Sequence, residues 1–181
     1  MVTPSEIVEF WFSEPVRRHW FKATPKFDRA LSECFLPTWQ AAADGQLSVW
    51  EATPLGTVAL VIVLDQFPLN MFRNKPESFA TAAIACQIAG EAIKKDFDQR
   101  LTAVQKTFLY LPFMHSEAMA DQDRAVSLFE NAGLMDNLRF ARHHRALIKR
   151  FGRFPHRNRI LGRKSTPEEV EYLNSKDAFR G

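Results

Sequence analysis

The longest unbroken apolar run, residues 58–64, stops after seven positions at Asp65. Elsewhere apolar and polar side chains mix in blocks bounded by Thr-Pro pairs and glycines. Thr3-Pro4, Thr24-Pro25, Thr53-Pro54 and Thr166-Pro167 each read as a helix start. A Thr hydroxyl accepts an orphan N–H of the first turn, and Pro suits the first helical position because its missing donor would have gone unpaired there. Glu6 and Glu169, three residues beyond Thr3 and Thr166, complete capping boxes. The pattern predicts helices over 4–12, 25–43, 54–67, 76–95, 103–110, 113–131, 135–150 and 167–174. Gly45 and Gly133 fall where left-handed helix ends are wanted, and Pro37 is expected to kink or split the second helix. Val61, Ile62 and Val63 would also suit a buried strand, but the Thr53-Pro54 cap and the lack of a partner strand favour helix.

Eight helices leave little room for a sheet, and short connections between them imply antiparallel hairpins stacked on one another. The expected fold is therefore all-α and tetratricopeptide-repeat-like, with one domain over residues 1–181. A length of 181 residues is at the upper end for one core, and 16 Phe and 4 Trp supply bulky groups to fill it. The seven-residue apolar run is far short of the roughly 20 residues that a membrane span needs. The opening Met1-Val2-Thr3-Pro4-Ser5-Glu6 has neither the basic flank nor the apolar stretch of an export signal. A cytoplasmic protein with no membrane partner is expected. Cys34 and Cys86 have no second Cys or His at ligand spacing and read as reduced core thiols.

The formal charge is only +3, yet ten basic residues and no acid lie between Arg139 and Lys164. Three polar-rich segments stand out: LDQFPLNMFR (64–73), YLPFMHSEAMADQDR (110–124) and RFGRFPHRNRILGRKST (150–166). With the opening IVEFWF (7–12), they resemble the bacterial family known as domain of unknown function 924, nearly from end to end. The resemblance implies a fold like the tetratricopeptide-repeat class and carries no established activity. The chain departs from the family pattern at Leu69, where Arg is usual, at Asn74-Lys75, in place of Gly and a small residue, and at Ala82, where Asp is usual.

In a helix covering the middle segment, Glu117, Asp121 and Arg124 share one face, with His115 and Gln122 adjoining. Two carboxylates one turn apart repel, which raises one pKa, and beside a His they suit general acid/base work. His115, Glu117, Asp121 and His156 are the catalytic candidates; a buried salt-bridge network is the alternative. Asp65, His115, Glu117, Asp121 and His156 also offer metal donors, but no compact ligand spacing supports a metal, and no motif calls for a cofactor.

In the last segment Arg153, His156, Arg157, Asn158 and Arg163 alternate with Phe151, Phe154, Ile160 and Leu161, while Gly152 and Pro155 break any helix. The apolar residues would pin the loop, so that its guanidinium groups recognise carboxylate or phosphate or pair internally with Asp65, Glu117 and Asp121. Nucleic acid is not an expected partner, because no binding signature is present and the Phe residues lie in apolar context. Asp65, Gln66, Asn70 and Arg73 bracket Pro68 and suit either the lip of a pocket or a helix end. The leading expectation is one cationic cleft for a small anionic molecule, held by Arg73, Arg153 and Arg157, with His115, Glu117 and His156 for proton transfer. The alternative is a helical scaffold that binds a peptide or protein on a concave surface without catalysis.

Overall fold

A computed structural model describes residues 2–180, so Met1 and Gly181 of the expected 1–181 domain lie outside the described residues. The helices are α1 (Pro4–Trp11), α2 (Glu14–Arg17), α3 (Pro25–Ala43), α4 (Pro54–Val61), α5 (Phe67–Met71), α6 (Ala82–Lys94), α7 (Ala103–His115), α8 (Met119–Asn131), α9 (Met135–Phe151) and α10 (Pro167–Asn174). Among the described residues there is no strand, and the fold is all-α. All four Thr-Pro starts cap as the sequence indicated, with each Thr side chain accepting a backbone N–H from the first turn. Glu6 and Glu169 close their capping boxes.

The cysteines are not core thiols, since Cys34 is exposed and Cys86 half-buried. Of the expected breaks, Pro37 does not split its helix and the break between 110 and 113 lies elsewhere. α3 runs unsplit through Pro37, which lies on an exposed face where water can satisfy the carbonyl that Pro leaves without a donor. α7 continues through Pro112 to His115, and the chain breaks later, at residues 116–118. Residues 58–64 are helical and wholly buried, as suits a helix that is apolar on every side. A π turn, Ile62–Gln66, joins α4 to α5. Pro68 has no N–H for the Leu64 carbonyl, and the Thr81 hydroxyl donates to that oxygen instead at 2.5 Å. Trp39 Nε1 in turn donates to Thr81 Oγ1 at 3.2 Å. The stretch Pro54–Met71 is long and apolar enough to cross a membrane by length and composition, which the seven-residue run did not suggest; 78% of it is buried inside the protein.

The chain gathers into two compact units, the first comprising the residues up to Arg73 with Glu77–Pro112, the second Asn74–Pro76 with the residues from Phe113 onward. Asn74, where the family pattern has Gly, holds φ at +64°, a left-handed conformation that Asn tolerates better than other side-chain-bearing residues. In the first unit, Trp11 packs against Phe67 and Phe108 with ring centres 5.6 and 5.7 Å apart. In the second, α8 packs on α9, whose stripe of Leu138, Ala141, His144, Leu147 and Ile148 is buried. Leu147 and Ile148 continue into a smaller core with Phe154 and Tyr172, flanked by Phe151 and Phe179.

Candidate functional site

α9 ends at Gly152, whose φ of +70° turns the chain into the cationic loop. Phe154 is fully buried, and its N–H donates to Glu117 Oε1 at 2.8 Å. Glu117 sits in the 116–118 turn, not on α8, so the expected shared face of Glu117, Asp121 and Arg124 does not form. Arg163 grips both Glu117 oxygens, at 2.6 and 3.0 Å, and donates to the Phe154 carbonyl at 3.1 Å. Burial pushes the Glu117 carboxyl up, but the Arg163 bonds and the Phe154 N–H outweigh it and hold the group below its ordinary value. The raised carboxylate expected for an acid catalyst is therefore absent at Glu117.

Arg163 Nε continues the network to Asn158 Oδ1 at 3.0 Å, and Asn158 Nδ2 reaches Glu169 Oε2 at 3.1 Å. Glu169 takes two bonds from Arg153, at 2.7 and 2.8 Å, and one from the Thr166 N–H at 2.8 Å. Arg153, first, then Thr166 and Asn158 hold the Glu169 carboxyl down to about 2 against its burial. The rest of the basic run is met similarly on the surface, as Arg142 pairs with Glu130, Arg145 with Asp123 and Arg150 with Glu168. At least five of the ten cations are thus neutralised by acids flanking the run. The sequence had offered Asp65, Glu117 and Asp121 as internal partners; Glu117 serves as one, and Asp123, Glu130, Glu168 and Glu169 join it.

Asp121 accepts from Ser116 Oγ at 2.6 Å and orders the start of α8. Gln122 is fully buried, and its Nε2 donates to the carbonyls of Met114 and Ser116 at 2.8 and 2.6 Å, covering the end of α7. Arg124 lies over the Phe113 ring at 4.5 Å. In the first unit, Arg73 pairs with Asp28 at 2.8 Å and donates to Asn70 Oδ1 at 3.1 Å. Asn70 Nδ2 donates to the Gln66 carbonyl at 3.0 Å, and Gln66 Nε2 to Asp65 Oδ2 at 2.6 Å. Arg73, Arg153 and Arg163 are thereby bound by the protein's own carboxylates.

The remaining predicted groups gather around the Phe154 ring. The Arg157 guanidinium lies over it at 4.5 Å, and the rings of His144 and His156 stand 5.4 and 5.6 Å from it. Arg157 is buried, and its charge acts on Glu117, His144 and His156. The His115 charge acts on both His144 and His156. Burial, then Arg157, depress His156 to about 4. Burial depresses His144 to about 3 despite its Nδ1–H donating to the Phe140 carbonyl at 2.8 Å. His156 Nδ1 is buried without a hydrogen-bond partner among the described residues. The C-terminal Phe179 closes the group, its ring 4.6 Å from His144 and 5.0 Å from His156.

His144 and Phe179 were not among the residues singled out by sequence, and Glu169 was singled out only for its capping box. His144 falls on the Leu138, Ala141, Leu147 stripe of α9, a periodicity that marks it as buried. Nothing local marks Phe179. Two surface depressions lie elsewhere: one of about 350 Å³ in the first unit is lined by Asp44, Glu51 and Glu91, and one of about 440 Å³ lies between Asp123, Ser127 and Arg145. Neither is lined by a predicted site residue. Among the described residues, no set of three or more His, Cys, Asp or Glu is placed to hold a metal.

Residues 7–177 match the family model described as bacterial protein of unknown function, DUF924, and the match runs through both units. A solved structure of a protein of unknown function from Agrobacterium tumefaciens is 40% identical, covers 94% of this chain and 96% of its own, and superposes with a TM-score of 0.89. No curated protein matches.

Proposed function

Since the chain belongs to DUF924, a bacterial family of unknown function, we propose a role from the chemistry of its own residues: the second unit binds a small anion, a phosphate or carboxylate compound, against Arg157, with His115 and His156 exchanging protons with it. The observation that carries this reading is the placing of Arg157, His144 and His156 against the Phe154 ring, with His115 near enough to act electrostatically on both imidazoles. In this reading Glu117 and Asp121 position the loops and do not act as acids, and Arg73, Arg153 and Arg163 hold the fold.

The electrostatics couple binding to proton transfer. Burial, and after it Arg157, opposes protonation of His156, so the imidazole is a neutral base at pH 7. An anion at Arg157 cancels the second of these and raises the basicity of the ring next to the reacting molecule. Binding thus favours proton transfer to and from the imidazole, which suits hydrolysis or isomerisation of an anionic compound.

Arg157→Met tests the reading, because the unbranched apolar side chain keeps the packing on Phe154 and deletes the charge. Thermal melts of wild type should shift upward with inorganic phosphate, pyrophosphate or citrate, and the shift should vanish in Arg157→Met with little change in its basal melting temperature. A basal loss of about 3–5 kcal/mol, the cost of stranding a buried charge, with no anion response in either protein, would reject binding and make Arg157 a structural cation.

A further inference from the structure

The first unit carries a cationic turn that the site in the second unit does not use. The chain leaves α1, passes through α2 and returns into α3 over residues 12–24. Trp20 pins this turn: its Nε1 donates to the Trp11 carbonyl at 3.0 Å, and its ring meets Phe108 at 4.6 Å and Phe12 at 5.6 Å. His19 stacks on Phe27 at 4.6 Å. With both preceding rings held inward, Phe21 projects outward and is 75% exposed.

A lone exposed apolar residue is ordinary. Here, however, Arg17, Arg18, Lys22, Lys26 and Arg29 are all exposed around it in sequence. Between residues 17 and 29 the one acid is Asp28, which Arg73 neutralises at 2.8 Å. Arg17 lies 3.5 Å from Glu14 with both side chains largely in water, so this pair is weak. The result is an outward aromatic ring on a turn pinned by Trp20, with five exposed cations flanking it in sequence.

We propose that this turn docks reversibly on an anionic lipid surface, with Phe21 entering the headgroup layer and the surrounding Lys and Arg side chains against the lipid phosphates. Charge complementarity selects the partner, since each cation near such a surface strengthens partitioning about five-fold and the effect falls away within a Debye length. An inserted Phe adds the apolar part that interfacial binding needs. Single-stranded nucleic acid would call for successive outward aromatic faces, whereas Trp20 is committed to the core. Such docking departs from the sequence expectation of no membrane partner, which rested on spanning length and not on surface charge.

The test is co-sedimentation of the full chain with vesicles of phosphatidylcholine alone or with about one third phosphatidylglycerol, at low and high salt. The expected result is binding to the anionic vesicles only, reversed by salt. Phe21→Ser should weaken it about ten-fold, and Arg18→Glu with Lys22→Glu at least about twenty-fold. Unchanged melts will show that these exposed substitutions leave the fold intact. The proposal is overturned by no binding of wild type to anionic vesicles at low salt, by Phe21→Ser binding as wild type does, or by a single-stranded oligonucleotide outcompeting the vesicles.

Discussion

Glu117→Ala will lower the stability of the protein by about 2–3 kcal/mol, and Glu117→Gln by about 1. The side chains of Glu117 and Arg163 are 27% and 23% exposed. That places the pair between surface ion pairs, at about 0–1 kcal/mol, and broken buried ones, at about 3–5 kcal/mol. Alanine also removes the acceptor of the Phe154 N–H, a donor on a fully buried residue. Gln keeps an oxygen for that N–H but loses the charge and sets an amide donor against Arg163 Nη1 in place of the second carboxylate oxygen. Urea denaturation at neutral pH will measure both steps. If Ala costs no more than Gln, the Phe154 N–H has another acceptor and Glu117 does not tie the loop to the α7–α8 turn. The anion response should survive in Glu117→Gln; its loss there would return Glu117 to the proton-transfer chemistry.

How far such roles were legible depended on the range of the interaction. Helix starts are local: the hydroxyls of Thr3, Thr24, Thr53 and Thr166 reach N–H groups three residues away, so a four-residue pattern sufficed. The break between α7 and α8 was misplaced because Pro112 is the obvious local signal. The observed end instead rests on Gln122, which takes the α7 carbonyls from six to nine residues away. Partner choice was least legible. Ion pairs join residues 46 apart at Arg163–Glu117 and 16 apart at Arg153–Glu169, and sequence can supply a pool of acids without saying which is reached. Glu169 illustrates the difficulty, since its capping role was visible and its grip on Arg153 was not. His144 is illegible for another reason: along its Arg-rich helix the charges interrupt, in sequence, the apolar stripe on which it lies.

Acid will destabilise the protein well above the ordinary carboxylate range, and the two buried imidazoles set the onset. Above pH 6.5, His144 and His156 are neutral in both the folded and the unfolded chain and contribute no slope. Below it the unfolded chain takes up protons that the folded state refuses until about pH 4 at His156 and about pH 3 at His144. Because the unfolded state then binds more protons, stability falls as pH falls, by about 1.4 kcal/mol per pH unit for each histidine. Glu117 and Glu169, both held below 4.5, act in the same direction at lower pH. Their stabilisation is present above 4.5 and is lost as pH drops through their folded values. Urea denaturation at pH 7.5 and pH 5 should therefore differ by about 4 kcal/mol from the two imidazoles together. His144→Leu, which fills the same buried stripe with a group that cannot protonate, should remove about half of that difference. Equal stability at the two pH values would mean that both rings accept protons in the folded state. The same pair of measurements with sulfate, whose charge does not change between pH 5 and pH 7.5, links stability to the proposed site. An anion at Arg157 removes one of the two causes that depress His156 and should lessen the slope, whereas an anion bound elsewhere would raise stability equally at both pH values.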